Sequence, residues 1–311
     1  MTDATDTDRL RALLDALKPY FGSTPAARKH FALAQEHGLH ILPVHFYSPV
    51  PDTAGLSPQT WTAPSALPGV DMNEAGQLAL METVFAKYHE DFAAFPLKRT
   101  GNDLEFSFEN DQVSGADPFI LHALVRELKP RRIVEVGGGY TTLVSAKAVR
   151  QNGSGEIVTI EPYPRPFLAR ALDGVGRLER RPLQEIDLEL FASLGEDDIL
   201  FIDSTHVSRI GSDVNRLFLE ILPRLAPGVW VHVHDIFLPY DYPETWTRDM
   251  QFFWTEQYLL QAFLIGNRMY RVRFAVGYMG RRHPEAMAGT FPGWALGLGG
   301  GSFWMRREDA A

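Results

Sequence analysis

Apolar residues recur along this chain with two different periods, and the pattern changes near residue 117. In residues 9–18, Leu10, Leu13, Leu14 and Leu17 share one helical face. A second helix is predicted over Pro25 to His37, stopped by Gly38. Ile41 to Gly69 holds six prolines, Pro43, Pro49, Pro51, Pro58, Pro64 and Pro68. Each fixes φ and removes a backbone donor, so no regular helix or central strand is predicted there. A further helix is predicted from Asn73 to Phe92, and a polar-aromatic bridge, Leu104 to Val113, leads to Asp117.

Beyond that point helical and β-branched stretches alternate. Predicted helices over Asp117 to Leu128, Thr141 to Arg150, Pro166 to Leu172, Asp187 to Leu194 and Ser212 to Leu222 each precede a strand. The strands are Arg132 to Val136, Glu156 to Ile160, Arg177 to Arg181, Asp198 to Ile202 and Gly228 to His234. One long helix is predicted over Thr245 to Ile265, followed by strands Tyr270 to Tyr278 and Gly301 to Arg306. Repeated βα units imply an α/β fold, a parallel sheet covered by helices on both faces. The last two strands, joined by an irregular Gly- and Pro-rich segment, are expected to pair as a hairpin.

The first strand runs into chemistry. Glu135 sits inside it, Gly137, Gly138, Gly139 and Tyr140 follow, and Thr141 opens a helix. Glycines let the backbone turn and approach a ligand closely, and a helix start offers unpaired N–H groups. The second strand ends in Glu161, 22 residues after Gly139, where a carboxylate can accept hydrogen bonds from ribose hydroxyls. A dinucleotide loop would read G-x-G-x-x-G, but Thr142 stands where its third glycine would fall. The fourth strand ends in Asp203-Ser204-Thr205-His206, and the fifth in His232-Val233-His234-Asp235. Ligands of open α/β sheets bind beyond such carboxyl ends.

Composition narrows the classes. The net charge is -9 with scattered Lys and Arg, and no basic stripe of the kind that tracks phosphates, so a nucleic-acid partner is not expected. The absence of cysteine excludes disulfides, a thiolate zinc site and a cysteine nucleophile. Neither a signal-peptide pattern nor an apolar run of the ~20 residues that span a bilayer occurs, which predicts a soluble, cytoplasmic protein without membrane contact. A homo-oligomer remains open.

The run Glu135 to Thr142, together with Glu161 and the stretches Asp198 to His206, Gly211 to Asn215 and His232 to Pro239, resembles class I S-adenosylmethionine (SAM) methyltransferases, within a bacterial subgroup. The resemblance covers residues 117–246 well and the N-terminal segment poorly. It implies a Rossmann-like, doubly wound, mostly parallel seven-stranded sheet with an antiparallel last strand in residues 116–311, behind an N-terminal helical and Pro-rich cap, residues 1–115. It implies SAM as cofactor, held by Glu135, Gly137, Gly138, Gly139, Tyr140, Thr141, Glu161, Asp203 and Ser204, with Gln184 on the adenine edge. The activity implied is methyl transfer to a small molecule or peptide side chain, at oxygen. His206 and His234 are candidate general bases because imidazole titrates near neutral pH; Asp203 and Asp235 stand beside them, and His232, one step deeper, reads as structural.

Cation-dependent catechol-type O-methyltransferases place an Asp after the fourth strand and an Asp-Asn pair after the fifth. Asp203 and Asp235 match, but Ile236 replaces the Asn. His234 in its stead would suit a transition metal better than magnesium, so a divalent metal stays open. His45, Tyr47 and Asp52 in the Pro-rich segment are candidate substrate contacts, should that segment fold over the site. Two other readings stand beside the favoured one: an NAD-dependent oxidoreductase, and a SAM-binding subunit without catalysis.

Overall fold

Alternation along each central strand sends side chains into two separate cores. Ile133, Ile157, Ile199 and Phe201 enter one, while Val134, Val158, Leu200, Ile202 and Val231 enter the other. That two-sided burial is what a sheet covered on both faces requires. The computed structural model describes residues 4–22, 24–170, 172–291 and 299–309. Its seven strands are β1 (Arg132–Val136), β2 (Glu156–Ile160), β3 (Val175–Glu179), β4 (Ile199–Ile202), β5 (Trp230–Val233), β6 (Tyr270–Ala275) and β7 (Phe303–Arg307). They lie in the order β3-β2-β1-β4-β5-β7-β6. The pairs β1–β2, β1–β4, β2–β3 and β4–β5 are parallel; β7 runs antiparallel to both β5 and β6. The strand order reverses between β1 and β4, and that switch point places the Gly137 loop beside Asp203.

Thirteen α-helical segments are described: α1 (Ala4–Leu17), α2 (Pro25–Glu36), α3 (Gln59–Thr62), α4 (Glu74–Leu80), α5 (His89–Ala93), α6 (Asp117–Leu128), α7 (Tyr140–Asn152), α8 (Leu188–Ala192), α9 (Asp213–Arg216), α10 (Glu244–Arg248), α11 (Glu256–Leu264), α12 (Val276–Arg282) and α13 (Pro284–Thr290). Thr24 caps α2 by accepting from the amide of Ala27 at 3.2 Å. Gly153, at φ +73°, ends α7 in the left-handed conformation that glycine adopts without penalty. The apolar face of α1 is uncovered, with Leu10, Leu13 and Leu14 each more than half exposed.

Residues 74–93 form one helical run that changes pitch after Leu80. It is anchored to the sheet: buried Gln77 donates to the carbonyl of Met72 at 2.6 Å and accepts from the amide of Ala275 at 2.8 Å. Phe85 packs edge-on against Phe274, ring centres 4.9 Å apart. Part of the segment expected as a cap therefore belongs to the same core as the sheet.

Several expected elements differ. Pro166 to Leu172 is not a helix; Pro166 to Ala169 form turns, with Phe167 and Leu168 buried as anchors. Residue 171 lies outside the described residues. The third strand starts two residues earlier than expected, at Val175. The helix expected over Thr245 to Ile265 is broken: residues 249–255 are not helical, Gln251 has φ +60°, and the carbonyl of His206 accepts from the amides of Thr255 and Glu256 at 2.9 and 3.1 Å. That capture starts α11 afresh. Tyr270 to Tyr278 is a strand only to Ala275, and two helices occupy part of the connection expected to be irregular. The last two strands do pair antiparallel, with β7 inserted next to β5. Among the described residues no helix is long and apolar enough to cross a membrane.

Candidate active site

At the switch point the ends of β1, β2, β4 and β5 surround a cavity of about 760 Å³. Gly137 turns the chain at its floor. Its φ is +88°, and a Cβ there would lie 1.6 Å from the carbonyl oxygen of Asp203, so only glycine fits. The amide of Gly138 donates to Glu161 Oε2 at 3.2 Å, and that of Gly139 donates to Thr142 Oγ1 at 3.1 Å, which caps the first turn of α7. Gly137, Gly138, Gly139, Tyr140, Thr141, Glu161, Asp203 and Ser204 all border the cavity. Glu161 also accepts from the amide of Tyr163 at 2.8 Å, leaving lone pairs on both oxygens.

Two expected cofactor contacts fall elsewhere. Glu135 is buried beneath the loop and is absent from the cavity wall. It accepts from the hydroxyls of Thr141, Thr142 and Thr159 at 2.8, 2.5 and 2.9 Å. Burial raises its carboxyl to about 7 in spite of these three donors. Its place is therefore to tie β1 to the first turn of α7 and to β2. Gln184 is also off the cavity, donating to the carbonyl of Gly211 at 2.8 Å on the surface, because its 3-10 turn faces that loop.

The opposite wall is ionic. Asp203, His206 and Asp235 bring ligand-type atoms within 4.8 Å of one another. His206 Nε2 lies 3.4 Å from Asp203 Oδ1 and 3.8 Å from Asp235 Oδ2, while its Nδ1 is 2.9 Å from Glu256 Oε2. His234 Nε2 is 3.7 Å from Asp235 Oδ1. Both His206 and Asp235 have left-handed backbones, φ +58° and +57°, costly for residues with a Cβ. Burial works against charge on His206, but hydrogen bonds and charge from Asp203 and Glu256 outweigh it and raise the imidazole to about 10. Burial likewise pushes Asp203 up, and His234 and His206 outweigh it, holding that carboxyl at about 2. His234 is raised, burial being overcome by Asp203, Asp235 and Asp117, whereas burial raises Asp235 and Glu256. His232 is off the cavity, stacked on Phe201 at 3.9 Å and bonded to Ser302 Oγ at 3.1 Å; burial lowers it.

A third wall is aromatic: Phe237, Trp246, Phe252 and Trp254, with Met250. Phe252 stacks on Trp254 with ring centres 4.8 Å apart, and Trp254 lies 4.3 Å from the His206 ring. The expected substrate contacts His45, Tyr47 and Asp52 do not reach this cavity. All three are exposed, and Asp52 caps its own turn by accepting from the amide of Ala54 at 3.1 Å. The Pro-rich segment instead backs the aromatic wall: Pro49, Pro51, Leu56 and Trp61 border a smaller cavity that shares Phe252 and Trp254. The segment thus lies on the outer side of that wall.

Glu256, Asp117 and the aromatic wall were missed from sequence. Glu256 fell inside the pattern of a long helix. Asp117 accepts from the amides of Gly301 and Ser302 at 2.9 and 3.0 Å and so fixes the loop before β7. The cluster Phe252-Phe253-Trp254 within a polar stretch was the one available signal for the wall.

Residues 134–236 match the family model described as a methyltransferase domain. The match spans the loop, β4 and β5, and the sheet order with its antiparallel β7 agrees with it. A protein of Archaeoglobus fulgidus, itself described as uncharacterized, is 28% identical over 175 residues, covering 53% of this chain and 78% of the relative. Among solved structures, the SAH-bound methyltransferase PaMTH1 of Podospora anserina is similar at 18% identity and a TM-score of 0.41, over 72% of this chain and 88% of that one. The O-methyltransferase TomG of Streptomyces achromogenes, in complex with SAM, is similar at 21% identity and a TM-score of 0.40, over 78% and 92%.

Proposed function

We propose that this chain transfers a methyl group from SAM to a hydroxyl oxygen on a small molecule with an apolar or aromatic body. The observation that carries the reading is that one cavity joins the glycine loop to the Asp203, His206, His234 and Asp235 cluster and to an aromatic wall. Its volume lies in the upper part of the range of about 300–1,000 Å³ usual for small-molecule sites. SAM supplies an electrophilic methyl group. Gly137 to Thr141 would lie along the cofactor, Glu161 would accept from its ribose, and Asp203 and Ser204 would border the reacting end. Ser204 Oγ is buried without a partner and offers an unused donor there.

Phe237, Trp246, Phe252 and Trp254 would hold the acceptor's body and exclude water. His234 would take the proton of an acceptor hydroxyl whose oxygen is aligned with the methyl carbon, the S–CH₃ bond breaking to S-adenosylhomocysteine as the C–O bond forms. His234 is the base of choice because it borders the cavity and, unlike His206, is not bonded to a buried glutamate. His206, by contrast, is engaged on both nitrogens. Positioning supplies most of the acceleration in such an in-line displacement.

The test is incubation of the protein with methyl-labelled SAM and a panel of phenols, aliphatic alcohols and amines, read by mass spectrometry. Labelled ether products confined to hydroxyl acceptors support the reading. Transfer to amines alone would overturn the assignment to oxygen.

A further inference from the structure

His206 is held as a metal-bound imidazole is held. One ring nitrogen, Nδ1, meets the fully buried carboxylate of Glu256 at 2.9 Å, and the other, Nε2, faces two carboxylates at 3.4 and 3.8 Å. Metal-ligating histidines almost always give their second nitrogen to such a partner, which fixes the tautomer and the ring orientation. Bonds of about 2.0–2.2 Å from oxygen and nitrogen to a central ion would bring these atoms to roughly 3.0–3.5 Å from one another, within a few tenths of an ångström of the separations to Nε2. The set also draws its members from two strand ends, with the backbones of His206 and Asp235 both held in the left-handed region to aim them at one point.

We propose that Asp203, His206 and Asp235 form a site for a divalent transition-metal ion, with Glu256 as the residue that positions His206. His234, the substitute that the sequence suggested for the missing Asn, stays outside the ligand group, because its Nε2 reaches only Asp235. A nitrogen ligand beside two carboxylates favours manganese, iron or zinc over magnesium, whose sites are built from oxygen. The three ligands leave coordination positions open toward the cavity that all of them border. An ion there would polarise an acceptor hydroxyl. Only that use of the ion rests on the methyl-transfer reading; its binding does not.

The experiment is calorimetric titration of chelator-stripped protein with Mn²⁺, Zn²⁺ and Mg²⁺, with SAM binding measured on the same samples. One Mn²⁺ or Zn²⁺ per chain is expected, bound at least about tenfold more tightly than Mg²⁺. His206→Gln should abolish that preference, and Glu256→Gln should weaken binding about 10–100-fold, the usual effect of removing a ligand's supporting carboxylate. Asp235→Asn is the substitute variant should His206→Gln fail to fold, and it should lose the ion too. Binding of Co²⁺ with visible absorption that changes in Glu256→Gln would separate a positioning role from a merely structural one. No binding of Mn²⁺ or Zn²⁺, or equal affinity in folded variants, overturns the site. Intact SAM binding in that case leaves the methyl-transfer reading standing; loss of both would remove that reading as well.

Discussion

The Cβ that Gly137 lacks would lie 1.6 Å from the carbonyl oxygen of Asp203, so β1 and β4 meet at a point where no side chain is admitted. Gly137→Ala should cost more than the ~1–3 kcal/mol of a strained backbone position alone. Gly153→Ala is the matched control: φ is also positive, +73°, but nothing lies within 4 Å of the added carbon. Urea unfolding of the two variants should show a clearly larger loss at 137. Equal losses would mean that the contact with Asp203 relaxes freely.

His122 gives a pH dependence distant from the Asp203, His206 and Asp235 cluster. It is buried, with Nε2 2.7 Å from Gln151 Oε1 and its ring edge-on to Phe95, and burial lowers it to about 4. A histidine with a depressed folded value contributes stability that is full above its ordinary value near 6.5 and is lost as pH falls toward 4. The shift corresponds to about 3 kcal/mol at ~1.4 kcal/mol per unit. Stability measured from pH 7.5 to 4 should fall more steeply in the wild type than in His122→Asn. Parallel curves would show that the imidazole is accommodated when charged.

Arg248 joins the Pro-rich segment to the aromatic wall. Its guanidinium donates to the carbonyls of Thr53 and Leu56 at 2.6 and 3.2 Å and lies 4.9 Å from the centre of the Trp61 ring. Arg248→Ala should loosen residues 249–255 and speed their cleavage in limited proteolysis, with global stability changed by about 1–3 kcal/mol at most. An unchanged cleavage rate would show that the wall stands without its brace.

The fold was legible where burial is two-sided. Arg132–Val136, Glu156–Ile160 and Asp117–Leu128 have the bounds that periodicity and the Gly and Pro signals imply. It was illegible where a distant group captures the backbone, as the carbonyl of His206 captures Thr255 and Glu256 and splits a helix whose own pattern is continuous. The site divides similarly. The glycine loop, Glu161, Asp203 and Asp235 stand at strand ends, so chain position locates them. Glu256 reaches His206, and Trp246, Phe252 and Trp254 reach the cavity, only through that broken helix. Gln184 and Glu135 carried residue types that suit a cofactor, but one faces the surface and the other is enclosed by three threonine hydroxyls.

His234→Gln should lower turnover about 10²–10⁴-fold while leaving SAM affinity unchanged, the range for loss of a general base. Single-turnover kinetics with any acceptor that is methylated will check this. A loss below about tenfold would assign the proton to another group.

Titration with SAM, set against NAD, shows which nucleotide the glycine loop holds. The cavity that Gly137 to Thr141 and Glu161 border should bind one SAM per chain, with S-adenosylhomocysteine competing, and NAD should not displace it. Glu161→Ala should weaken SAM by ~1–3 kcal/mol, the cost of leaving ribose donors unpaired, without a matching loss of fold stability. Saturable binding of NAD with none of SAM, in folded protein, would show that the loop serves a dinucleotide and that methyl transfer is not its function.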